Sequence, residues 1–174
     1  TGEDALFLAQ RGIHVIATDA SPRMLEVARQ KAAGGAFETA LLNFHELPCT
    51  GFTDLDGAFS NFGALNVLAD CRPMAEWLAE RVKVDGTVAF GVMGPRCLWE
   101  LLWYGLHDDI RTATRRWRGP SQFQDAASAD PIEIHYPSVR QLSSAFAPYF
   151  ERVYVQPLGF WLPPSDVYGV IEKR

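Results

Sequence analysis

In its first half the chain alternates between apolar residues at helical spacing and short continuous apolar runs, the pattern of βα units built around a parallel sheet. Over residues 3–11, Ala5, Leu6, Leu8 and Ala9 recur at helical spacing behind the acidic pair Glu3 and Asp4. Gly12 follows, so a helix and a tight turn are expected. Residues 13–18, IHVIAT, are β-branched and almost wholly apolar, which predicts a central strand buried on both faces and ending at Asp19. His14 is then a core histidine. Ser21 as a cap and Pro22 at the first helical position start a second helix, which Gly34 and Gly35 end. Strands are expected at 37–42 and within 52–62, a helix over 73–81, and a buried strand over 87–92 after an Asp85-Gly86 turn.

The pattern then changes. From Pro95 to Trp117 the chain reads as one apolar helix with three of its five tryptophans, Trp99, Trp103 and Trp117, turning basic at Arg111, Arg115, Arg116 and Arg118. This marks a helical cap inserted over about 95–136. At helical spacing the arginines read as a solvated face, or as a grip on an acidic substrate. A polar loop over 119–130, a short strand in IEIHYP, a helix over 138–147 capped by Ser138, and strands at 152–156 and 167–172 complete the expectation.

Composition narrows the class. A length of 174 residues suits a single domain, and 48% hydrophobic with 21% charged residues is globular composition. The net charge of −5, with no long basic run, argues against a nucleic-acid partner. Cys49, Cys71 and Cys97 form no CxxC pair and no histidine stands at ligand spacing, so neither disulfides nor a metal site are expected, and a cytoplasmic setting fits. Glu100 interrupts the longest apolar stretch short of the ~20 residues of a membrane span, and no export signal opens the chain.

The candidate chemistry begins at Asp19. A carboxylate at the end of a strand in a βαβ unit faces the ligand crevice, where it can accept from both hydroxyls of a ribose, and Asp19 follows Gly2 by 17 residues. An Asp between a strand and a Ser-Pro helix start is equally a turn residue. The run TGEDALFLAQRGIHVIATDASPRMLEVARQKA resembles the end of the glycine-rich motif and the next βα unit of class I S-adenosylmethionine-dependent methyltransferases. The resemblance continues through LNFHELP and DGAFSNFGALNVL and covers about two-thirds of the chain.

The resemblance implies an α/β fold, a Rossmann-like doubly wound sheet, in one domain over 1–174 with the cap inserted. Only Thr1 and Gly2 of the family's glycine loop are present, so an N-terminal extension is expected to supply the loop's start and the family's first strand. The resemblance further implies S-adenosylmethionine as cofactor, with Gly2 near its amino acid part and Asp19 on the ribose. Ala20 and Met24 would lie by the adenine. Asn43, standing where the family commonly has an acid, would accept from the adenine amino group, and Phe44 N–H would meet the ring edge. Asn61, Phe62 and Gly63 would border the methionine end. For the two phenylalanines core packing is an equal alternative.

No universal catalytic residue is implied. Tyr104, His107, His135 and Tyr136 are the candidate general bases, in or beside the cap, and His45 reads as structural or solvated. With Trp99, Trp103, Tyr104 and Trp161 on one side of the family fold, the expected acceptor is a small apolar or aromatic molecule. Two other readings stay open: a noncatalytic binding protein on the same fold, and a nicotinamide-dependent oxidoreductase, for which GxGxxG and a proton relay are lacking.

Overall fold

A computed structural model of the protein describes residues 2–32, 34–48, 51–123 and 131–158. The chain divides into two compact units, Thr1–Gly51 and Phe52–Arg174.

The first unit runs α1 (Glu3–Ala9), β1 (Ile16–Asp19), α2 (Pro22–Lys31) and β2 (Glu38–Leu41). Ser21 Oγ accepts from Met24 N–H, and Pro22 fills the first turn, where no backbone donor is needed, so α2 starts where its local signals put it. The strands it joins are parallel, in the register Ile16 to Glu38 through Asp19 to Leu41. Ala5, Ala28 and Phe37 form the core, packed by Leu6, Ala9, Val15, Ala17 and Ala32. Small residues bring α1 and α2 close, and Gly2 belongs to that contact. With φ at 80°, it would carry a Cβ 3.1 Å from Phe37 Cζ and 3.2 Å from Ala28 Cα.

The strand of this unit is shorter and less enclosed than its composition predicts. Ile13 is half exposed and Thr18 exposed, so β1 is not buried on both faces. His14 is no core residue: its side chain is 75% exposed and its Nε2 lies 2.9 Å from Glu38 Oε1.

The second unit opens with β3 (Leu55–Ser60), the 3-10 turn Ala64–Val67, α3 (Arg72–Ala79) and β4 (Val82–Phe90). β3 and β4 are parallel, and their register jumps: Leu55 faces Val82, but Gly57 already faces Thr87. The predicted Asp85-Gly86 turn is therefore a bulge inside β4, with Asp85 at φ 65°. Leu65, Leu68, Met74, Ala75, Trp77, Leu78 and Val82 are buried, and Phe52 meets Trp77 edge-on at 5.8 Å between ring centres.

Beyond β4 the expected single helix is broken into α4 (Leu98–Leu106), α5 (Ile110–Ala113) and a 3-10 turn over Arg115–Trp117. Asp108 adopts φ 59°, and Asp109 Oδ1 caps α5 through Thr112 N–H at 2.9 Å, so two adjacent aspartates stop one helix and start the next. The segment read as a loop contains β5 (Ser121–Phe123), antiparallel to β6 (Ile132–Ile134). α6 (Val139–Phe146) begins with a reciprocal cap between Ser138 and Gln141, and Phe146 packs on Phe90 at 5.1 Å. Residues 152–156 form no strand. The expected strand at 167–172 and Trp161 lie outside the described residues.

Candidate active site

The first unit presents the nucleoside-binding candidates at the C-terminal end of β1. Asp19 is the last residue of that strand, and its Oδ1 accepts Ser21 N–H at 2.8 Å. That bond uses one oxygen to shape the entry into α2, while Oδ2 takes no hydrogen bond among the described residues. Both roles weighed from sequence thus fit one carboxylate: a turn residue through Oδ1 and an open acceptor through Oδ2. Ala20 beside it is small and exposed, and Met24 is exposed on the first turn of α2. Asn43 Oδ1 accepts His45 N–H at 3.0 Å, which shapes the loop after β2 and leaves that oxygen one further lone pair. Phe44 is half-buried and His45 exposed. An open carboxylate oxygen, a small residue and an amide at strand ends make a donor and acceptor set that suits a ribose and an adenine edge.

In the second unit Asn61, Phe62 and Gly63 form the turn leaving β3. Asn61 Oδ1 accepts Phe62 N–H at 2.9 Å and lies so near Gly91 that a Cβ there would come within 2.6 Å of it. Phe62 has φ 55° and is 87% exposed, so it packs in no core; an unburied phenylalanine in a left-handed conformation is a costly arrangement. Gly63, at φ 76° and buried, donates to Gly91 O at 2.9 Å. The glycine is needed because a Cβ would stand 2.9 Å from Asn66 Oδ1 and 3.0 Å from Met93 Cε.

Asn66 is the residue the sequence reading missed. It is fully buried, and its amide donates to Met93 O at 2.8 Å and His135 O at 2.5 Å while accepting from Met93 N–H at 2.9 Å. Its own carbonyl accepts His135 N–H at 2.7 Å. One side chain therefore ties the exit of β4 to the end of β6. The available signal was a lone amide inside the apolar run ALNVL.

The cap candidates fall in two places. At the end of α4, Tyr104 is half-buried, and His107 is exposed with its ring against Trp103 at 4.5 Å. His107 Nδ1 lies 2.7 Å from Trp103 O, and since a carbonyl only accepts, Nδ1 carries the proton and finishes the helix. After β6, His135 Nε2 lies 3.1 Å from Glu133 Oε1, and Tyr136 holds its ring under the Arg116 guanidinium at 5.1 Å.

The arginines are not a uniform solvated face. Glu100, buried on α4, accepts from Arg115 Nη2 at 2.7 Å and from Arg116 Nε and Nη2 at 3.0 and 2.6 Å. Arg116 also donates to Gly94 O at 3.2 Å. Burial works against the charge of Glu100, but hydrogen bonds and charge from Arg116 and Arg115 outweigh it and hold the carboxyl below the ordinary glutamate value. Only Arg111 and Arg118 of the four are exposed. Among the described residues no group of three or more His, Cys, Asp or Glu could hold a metal, and no helix is long and apolar enough to cross a membrane.

A family model described as "Methyltransferase domain" matches residues 1–86. No curated protein matches the sequence. Among solved structures, the PH0226 protein from Pyrococcus horikoshii OT3 has a TM-score of 0.54 at 15% identity, covering 88% of this chain and 70% of that one. A TehB-like SAM-dependent methyltransferase from Corynebacterium glutamicum ATCC 13032 Kitasato has a TM-score of 0.46 at 16% identity, covering 79% and 75%. The Pyrococcus protein shows a shared fold, and the family rests on the sequence model. Residues 1–86, just under half of the chain, are similar to the methyltransferase-domain family.

Proposed function

We propose that the protein methylates a small apolar or aromatic acceptor, and that residues of about 95–136 cap the acceptor side of a single domain over 1–174. The observation that carries this reading is the return of the insertion to the exit of β4: Arg116 binds Gly94 O and Asn66 joins Met93 to His135. In open α/β sheets ligands collect outside the carboxyl ends of strands, so an insertion tied there reaches the acceptor. Its half-buried Trp99, Trp103 and Tyr104 suit an apolar partner.

S-adenosylmethionine supplies a methyl group already activated on a sulfonium, so the chain's residues have mainly to bind, align and exclude water. Asp19 Oδ2 accepts from the ribose. Asn43 accepts from the adenine amino group and Phe44 N–H meets the ring, beside Ala20 and Met24. Gly2 lies near the amino acid portion, and Asn61, Phe62 and Gly63 border the methionine end. The unengaged oxygen of Asp19 and the exposed, strained Phe62 support these assignments, because each costs stability or goes unused unless a ligand employs it. Calorimetry with S-adenosylmethionine, followed by a labelled-methyl screen of small phenols, thiols, amines and acidic carbon compounds, tests the reading. Saturable cofactor binding with transfer to one class supports it; binding without transfer to any class favours a noncatalytic role.

A further inference from the structure

We infer that His135 is the general base of this methyl transfer, with its ring oriented by Glu133 and its backbone held by Asn66, and that the acceptor is a hydroxyl that stays protonated at neutral pH. The inference rests on the proposed small-molecule reading and deepens it.

The ring carries the first part of the argument. Glu133 Oε1 lies 3.1 Å from Nε2, and a carboxylate so placed favours the tautomer with its proton on Nε2, which leaves the imidazole lone pair on Nδ1. Among the described residues no group bonds to Nδ1. The side chain is 22% exposed, sheltered enough to be held and open enough to be reached. A carboxylate fixing the tautomer of an imidazole whose other nitrogen is bare is the arrangement of a base with its orienting group.

Position carries the second part. Both polar backbone groups of His135 are bonded to the buried Asn66, which also grips Met93 just beyond the end of β4. Of the other candidates, His107 likewise has one ring nitrogen bonded, to a carbonyl, but it is exposed at the end of α4, and Tyr136 faces Arg116. Among the described residues the charged groups that face His135 are Glu133 on β6 and, beyond the Tyr136 ring, Arg116, which is paired with Glu100; the 3-10 turn Ala64–Val67 packed against β6 has no titratable residue.

In the step this arrangement allows, the acceptor hydroxyl gives its proton to His135 Nδ1 while its oxygen forms the bond to the methyl carbon. The carbon–sulfur bond breaks with its electron pair left on sulfur, and the proton passes from the imidazolium to solvent. Glu133, facing Nε2, stabilises the imidazolium. A thiol acceptor arriving as thiolate needs no base, and this difference gives the test.

Methyl transfer is measured with labelled S-adenosylmethionine against substituted phenols, un-ionised at neutral pH with pKa near ~10, and against thiophenols, which enter as thiolates. His135→Gln should slow phenol methylation by roughly 10²–10⁴-fold and leave thiophenol methylation within a few-fold. His135→Asn provides a second variant, with folding checked by circular dichroism. Independently of activity, nitrogen NMR of the cofactor-free protein should show His135 protonated at Nε2, and Glu133→Ala should mix the tautomers. Equal rates for both series, equal losses in both, or a ring protonated at Nδ1 would overturn the inference. A wild-type protein that binds S-adenosylmethionine but methylates neither series overturns the inference, and if small amines and acidic carbon compounds also receive no methyl group, it overturns the small-molecule reading as well.

Discussion

Asn66 holds His135 at both of its polar backbone groups, accepting its N–H at 2.7 Å and donating to its carbonyl at 2.5 Å, although the two residues are 69 positions apart in sequence. The same amide pairs both backbone groups of Met93, so a single buried side chain links the turn after β3, the exit of β4 and the end of the inserted segment.

Asn66→Ala would orphan Met93 N–H and leave the carbonyls of Met93 and His135 without the amide. At about 1–3 kcal/mol per unsatisfied buried group, with partial relaxation, the expected loss of stability is roughly 2–4 kcal/mol. Urea denaturation measures it; a loss below 0.5 kcal/mol on the same roughly estimated scale would mean that water replaces the amide.

Glu100 pairs with two arginines from a buried position, so removing it strands positive charge. Glu100→Ala is expected to cost about 3–5 kcal/mol, in the manner of a buried ion pair broken on one side. The pH dependence has a definite sign. The folded carboxyl lies below its ordinary value of 4.5, so the stabilisation is present above that value and is lost as pH falls through the lowered folded value. Acid titration of wild type and Glu100→Ala should therefore converge in stability only in the acid range, and curves that stay parallel to low pH would contradict the assignment.

Asp19→Ala removes the acceptor assigned to the ribose. Loss of a charged hydrogen-bond acceptor predicts weaker S-adenosylmethionine binding by roughly 1.5–3 kcal/mol, about tenfold to somewhat over a hundredfold. Because Oδ1 also accepts Ser21 N–H, a small loss of stability at the start of α2 should accompany it. Unchanged affinity by calorimetry in the folded variant would remove Asp19 from the site.

Trp103 on α4 lies against His107, and its carbonyl accepts a hydrogen bond from the histidine Nδ1–H. As a cap residue, Trp103→Ala should lower acceptor turnover and leave cofactor affinity intact. As a core residue it should cost ~3–5 kcal/mol of stability. Cofactor calorimetry beside thermal unfolding separates the two, and loss of cofactor binding in step with activity would count against the cap.

What the sequence determined by itself is whatever depends on neighbours along the chain. Ser21 and Pro22 start α2 because a cap and a fixed φ act within one turn, and Asp19 ends β1 because a carboxylate before that cap closes a local turn. The order of these signals also carried the family resemblance. Charge at helical spacing was legible too, but its partner was not. Arg115 and Arg116 read as solvated until α4 and α5 fold back and bring Glu100 to them across 15 and 16 residues. His14 looked enclosed in an apolar run, and β1's exposure decided otherwise. Asn66 could be seen only as an odd amide, since its value lies in partners 27 and 69 residues away. Local sequence specifies capping and periodicity, which close within a few residues. The tertiary structure alone chooses the partner of a buried polar group, because desolvation makes that partner obligatory and leaves the folded chain to supply it.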